Sequence, residues 1–146
     1  MHSTQVVGVD GELVRDLTTD GRRAITHLIR TPQGKLIVWK RFHAGCNANV
    51  QREVAALRSL SLIDDYDVIP PLLDVGDDYF VIPYYADVLR KGGLLYRLGL
   101  RLMPLGVLRR VFAALRHFYG HGYELLAVCP YHALVDESGK VTCIDF

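Results

Sequence analysis

The sequence predicts an α+β fold: an antiparallel meander of short strands with one helix inserted, then two amphipathic helices and a terminal hairpin. Three observations carry this. β-rich runs, GELVRDL, RAITHLIRT and GKLIVWKRF, alternate with tight-turn signals in the first third of the chain. Helical spacing of apolar residues first appears in NANVQREVAALRSLSLI and returns in LLYRLGLRLMPLGVLRRVFAALRHFY. The length, 146 residues, suits one compact unit of at most two lobes.

The elements follow in order. Asp20-Gly21 and Pro32-Gln33-Gly34-Lys35 supply the turns between the first three strands. The helix after them places Val50, Val54, Leu57 and Leu60 on one face, and Asn47 or Asn49 is its expected N-cap. DVIPPLLDVG and DYFVIPYY flank Gly76-Asp77-Asp78, a hairpin signal, and Pro70 and Pro71 confine the first of that pair to an irregular or edge role. Two helices are expected to meet near Pro104, the first with Leu94, Leu95, Leu98 and Leu102 on its apolar face, the second with Val107, Leu108, Val111, Phe112, Leu115 and Phe118. The last hairpin, in HALVDESGKVTCIDF, turns at Asp136-Glu137-Ser138-Gly139.

Composition narrows the function. Half of the residues are hydrophobic and 23% are charged, which marks a globular chain, and a formal charge of +1 argues against general nucleic-acid binding. Cys46, Cys129 and Cys143 form no CxxC pair, and no secretory signal follows Met1-His2-Ser3, so the expected location is the cytoplasm. The small net charge hides an asymmetry. Val88–Tyr123 holds Arg90, Lys91, Arg97, Arg101, Arg109, Arg110 and Arg116 and no acid, leaving ten basic against sixteen acidic residues elsewhere. Arginines interrupt the apolar run too often for a membrane span. The ordinary alternative is two helices that bury one face and solvate their arginines. The functional alternative is an anionic membrane surface, at the inner face of the membrane, or a protein partner, met by Arg97, Arg101, Arg109 and Arg110.

Three short segments, in order, resemble the protein kinase-like fold: IVWK with Lys40, QREVAAL with Glu53, and CIDF with Asp145. The resemblance implies an antiparallel small-lobe sheet with its C-helix over residues 1–86, then a reduced helical lobe with a catalytic-loop hairpin over 87–146. It makes Lys40 the phosphate-reaching lysine, Glu53 its counter-ion and Asp145 the ligand of Mg²⁺ beside ATP. Each residue has an ordinary alternative: Lys40-Arg41 suits a strand end in water, Glu53 a helix surface, and Asp145 a solvated acid.

The departures bear on activity. Counting back from Asp145 by the spacing of the family's catalytic loop puts His132 at the second metal-binding position and Ala127 at the catalytic aspartate. Alanine cannot accept a hydroxyl proton; Glu124 is the nearby acid that could deputise, and His132 is a metal ligand or a structural histidine. The phosphate-covering turn, Thr18-Thr19-Asp20-Gly21-Arg22-Arg23, has one glycine, so Arg22 and Arg23 either reach phosphates by side chain or stand solvated in a turn. If Phe146 is the natural terminus, the activation segment is missing, and the nearest likeness is to abbreviated bacterial kinase-like proteins, including those resembling lipopolysaccharide kinases. The expected function is a pseudokinase, a nucleotide-binding or regulatory module acting through a partner or membrane surface. An atypical ATP-dependent phosphotransferase on a lipid-linked or sugar acceptor is the alternative, and an interaction scaffold without nucleotide is the third.

Overall fold

The computed structural model describes residues 9–18, 21–87, 105–123 and 133–144. They form an α+β architecture of seven strands and two helices: β1 (Glu12–Asp16), β2 (Ala24–Arg30), β3 (Leu36–Phe42), α1 (Asn47–Ser61), β4 (Asp74–Val75), β5 (Tyr79–Pro83), α2 (Leu105–Gly120), β6 (Ala133–Val135) and β7 (Val141–Cys143). A five-stranded antiparallel sheet runs β1-β2-β3-β5-β4, and β6 and β7 pair separately. The chain divides into two compact units, Met1–Ala55 with Pro71–Tyr84, and Ala56–Pro70 with Tyr85–Phe146.

The first unit is built around the sheet. Between β2 and β3 the chain reverses through Thr31–Lys35, where Thr31 N–H reaches Lys35 O (2.8 Å) and Gly34 N–H reaches Thr31 O (2.8 Å). Gly34 takes φ +80°, a conformation open to glycine at little cost. The β2–β3 register, Ala24↔Phe42 through Arg30↔Leu36, is unbroken. Alternation then decides the two faces. Ile37 and Trp39 on β3, Ile29 on β2 and Val81 on β5 make a buried cluster, with Ile25, Tyr79 and Val9 packed around it. Lys40 and Phe42 point the other way, opposite Thr26 and Ala24. β4 is a two-residue edge strand, the role that the prolines before it predict, because proline cannot donate to a ladder.

Helix α1 buries Val50, Val54, Leu57 and Leu60, the spacing of one helical face. Its start differs from expectation. Asn47 is already the first helical residue, and among the described residues neither Asn47 nor Asn49 makes a capping side-chain bond. The Asn49 N–H instead bonds the Cys46 carbonyl at 2.9 Å, so the chain enters through a backbone turn and needs no side-chain cap.

In the second unit, carboxylates hold loop backbone. Asp64 Oδ2 accepts from the N–H groups of Val68 (2.9 Å) and Ile69 (2.7 Å), and Val68 O then accepts from Cys143 N–H (2.7 Å), tying β7 to that loop. Asp87 Oδ1 accepts from Val135 N–H on β6 at 3.2 Å. Asp136 Oδ1 accepts from Ser138 N–H (2.8 Å), Ser138 Oγ (2.6 Å) and Lys140 N–H (3.0 Å), which closes the β6–β7 turn. The Ser138 hydroxyl is the main cause holding the Asp136 carboxyl below its usual range.

Helix α2 buries Val107, Val111, Ala114 and Phe118. It ends in a Schellman arrangement: Gly122 at φ +87° donates to Tyr119 O (3.0 Å), and Tyr123 donates to Phe118 O (3.2 Å). The expected apolar face is corrected here, because Phe112 is 62% exposed. Periodicity offered a broad apolar sector, and the packing uses only the part centred on Val111 and Ala114. The helix expected before Pro104 lies outside the described residues. Among the described residues no helix is long and apolar enough to cross a membrane.

Candidate functional site

Lys40 occupies the fifth position of β3, and the unbroken pairing with β2 and β5 sets its side chain on the face shared with Phe42 and Phe80. Glu53 comes from the second turn of α1. Its carboxylate takes two hydrogen bonds from the Lys40 ammonium, 2.9 Å to Oε2 and 3.1 Å to Oε1. The two side chains are 19% and 18% exposed. A pair so withdrawn from water is neither a fully solvated strand end nor an exposed helix-surface acid. Glu53 supplies the compensation that an ammonium needs at a strand–helix junction.

The surroundings reinforce the ammonium's place. Lys40 Nζ lies 5.3 Å from the Phe42 ring centroid and 5.8 Å from that of Phe80, within cation–π range. Sequence reading missed both rings. Phe42 was within reach, since residues two apart on a strand share a face. Phe80 was not, because its place opposite Lys40 depends on the β3–β5 register, which joins segments separated by a helix and a loop. A second pair was also missed: Arg41 Nε reaches Asp78 Oδ2 at 2.7 Å, with side chains 42% and 36% exposed. The guanidinium also lies 6.0 Å from the Trp39 ring centroid.

Arg22 and Arg23 are exposed and lie just before β2, at the end of the sheet where β3 finishes. His43 N–H bonds Arg23 O (2.8 Å) and the His43 ring contacts Gly21 O (2.6 Å), so the turn is pinned through its backbone. Thr19 and Asp20 of that turn, together with Asp145, His132, Glu124, Ala127, Arg97, Arg101 and Cys129, lie outside the described residues. Among the described residues no three His, Cys, Asp or Glu side chains gather to hold a metal ion.

A hollow of about 430 Å³ is lined by Asp10, Lys35, Ile37, Leu73, Asp74 and Val81, among others. Ile37 shares the Trp39 face of β3, and neither Lys40 nor Glu53 lines this hollow. Chemistry and concavity therefore point to different places in this unit, and the part-buried charge pair is the stronger indicator, because withdrawing an ion pair from water has a desolvation cost that an open hollow does not.

Cys46 and Cys143 are both free thiols. Burial is the main cause that pushes the Cys143 thiol up to about 11 from its ordinary 9.0, with the Asp64 charge adding to it. Such a thiol stays protonated near neutrality and is a poor nucleophile.

The fold and the pair together define an α+β protein with an oriented, half-sequestered lysine on its central strand. A scan against models of known families finds no match to the chain, and a search of curated proteins finds no relative.

Proposed function

We propose that the chain is a kinase-like nucleotide-binding or regulatory module, a pseudokinase in which Lys40 meets the phosphates of ATP. The observation that carries this reading is the bidentate Lys40–Glu53 pair at the junction of β3 and α1. A carboxylate that fixes an ammonium without covering all its reach orients the cation toward phosphate oxygens, the arrangement that kinases use. The order of three strands, helix and two strands supports the same reading. So does the chemistry of the lost base: Ala127 cannot take a proton from an acceptor hydroxyl, which favours binding over turnover. Mg²⁺, when bound, would neutralise phosphate charge, with Asp145 as the ligand implied by the resemblance. Membrane or protein contact through the arginine-rich segment belongs to the same proposal.

The test is a thermal-shift titration with ATP and Mg²⁺ on the wild type, Lys40→Met and Glu53→Gln. A ligand that binds only the folded state, at a hundred times its Kd, adds about 2.7 kcal/mol. Wild type should be stabilised and Lys40→Met should not. No shift at millimolar nucleotide would leave an interaction scaffold. Robust phosphorylation of an acceptor, abolished by Asp145→Asn, would replace the pseudokinase with a phosphotransferase.

A further inference from the structure

Helix α2 presents an exposed apolar stripe that includes Phe112, a residue that periodicity alone would bury. Leu105, Phe112 and Tyr119 are 62%, 62% and 72% exposed. They stand seven residues apart, so two turns of helix separate each from the next and all three fall on one line. The stripe is roughly 21 Å long at 1.5 Å of rise per residue. It lies on the side away from Val107, Val111, Ala114 and Phe118, the residues that anchor the helix. Arg109 and Arg116, each four residues beyond a member of the stripe, form a parallel exposed row beside it, and Arg110 is exposed further round.

Charge separates this face from an ordinary solvated helix. Between Leu105 and Gly120 there are three arginines and no acid, whereas a solvated face normally mixes both signs. Among the described residues no acid pairs with Arg109, Arg110 or Arg116. The stripe thus combines acyl-compatible side chains, a tyrosine near one end, and a flanking row of cations. The apolar side chains match the acyl boundary of a bilayer, the tyrosine suits the headgroup level, and the arginines match lipid phosphates.

From this we infer that α2 lies in the plane of an anionic phospholipid surface, with Leu105, Phe112 and Tyr119 inserted shallowly and Arg109 and Arg116 on the headgroup phosphates. The occupant follows from charge complementarity combined with exposed apolar area. A purely acidic partner would satisfy the arginines and leave the stripe in water, and a neutral apolar partner would bury arginines at its margin. This assignment rests on the membrane reading of the arginine-rich segment proposed above and names the surface and the side chains that meet it; it does not depend on nucleotide binding at Lys40, so the two fail separately.

The test is co-sedimentation of the full chain with vesicles of neutral phosphatidylcholine, or of phosphatidylcholine containing phosphatidylglycerol, at low and high salt. Binding should require the anionic lipid and weaken with salt, since the attraction decays within a Debye length of about 8–10 Å. The double reversal Arg109→Glu with Arg116→Glu should weaken binding on the order of thirtyfold or more, at about fivefold for each arginine near an anionic surface. Phe112→Ser tests the stripe itself and should weaken binding about tenfold while leaving the melting temperature unchanged, because the ring is exposed. Equal binding to both vesicle types, or none to either, would overturn the inference. So would anionic binding that survives Phe112→Ser unchanged, since it would be an electrostatic contact made elsewhere.

Discussion

The two compact units of this chain are held together by different means. In the first, β1, β2 and β3 pair in sequence through short reversals and β5 adds to β3 across a longer connection; one sheet face closes over Ile29, Ile37, Trp39 and Val81, and the other carries the Lys40–Glu53 pair. In the second, short strands and a helix are joined by backbone groups bonded to Asp64, Asp87 and Asp136, and the pieces come from distant parts of the sequence. A sheet of neighbouring strands needs little besides alternation to find its register. A unit assembled from separated segments needs specific polar clasps to fix its loops, and those clasps are invisible to any periodic reading.

Breaking the apolar face of the first unit should have the largest effect. Trp39 is 2% exposed, and Trp39→Ala should cost about 3–5 kcal/mol, from lost transfer energy and the cavity left behind. Denaturant unfolding followed by circular dichroism measures it; a loss below about 1 kcal/mol would mean that the face is not a core.

The second unit is probed best by alkali. The Cys143 thiol ionises at about 11 when folded and near its ordinary 9.0 when unfolded. Between those values the unfolded chain releases a proton that the folded chain retains, so stability falls as pH rises. The full contribution is present below pH 9 and is lost by about pH 11, an effect of roughly 2–3 kcal/mol at 1.36 kcal/mol per unit. Cys143→Ala should remove that part of the alkaline slope. Under native conditions at neutral pH, Cys143 should resist iodoacetamide while the less buried Cys46 reacts, as peptide mapping would read; rapid labelling of Cys143 would contradict its placement on β7.

The charge pair comes next. Lys40→Met should cost about 1–3 kcal/mol, because it leaves the part-buried Glu53 carboxylate without its main partner. Adding Glu53→Leu should recover part of that loss. A double-mutant cycle separates the pair from its surroundings, and additivity within about 0.5 kcal/mol would show that the two side chains are not coupled. The smallest effect belongs to Arg41, next to Lys40 on β3, and Asp78, in the turn just before β5. Their pair is more exposed, so Asp78→Ala should change stability by less than about 1 kcal/mol. An equal loss at both pairs would erase the distinction between a sequestered cation and a surface one.

Most of the first unit was legible in the sequence because its rules are local. Alternation places Trp39 and Lys40 on opposite faces of β3, Gly34 closes a turn, and the prolines before β4 demote it to an edge. The inward spacing of Val50, Val54 and Leu57 in turn aims Glu53 toward the sheet, so the Lys40–Glu53 pair could be anticipated. Other features were decided only by tertiary structure. Phe80 stands opposite Lys40 because β5 adds to β3 across a long connection. Asp64 clasps Val68 and Ile69 because that loop must also meet Cys143. Phe112 faces solvent because, among the described residues, only the Val107–Val111–Ala114–Phe118 side of α2 is covered. Sequence periodicity specifies which residues share a side of a helix or strand; which of those sides finds a partner depends on segments far away in the chain, and only packing resolves that.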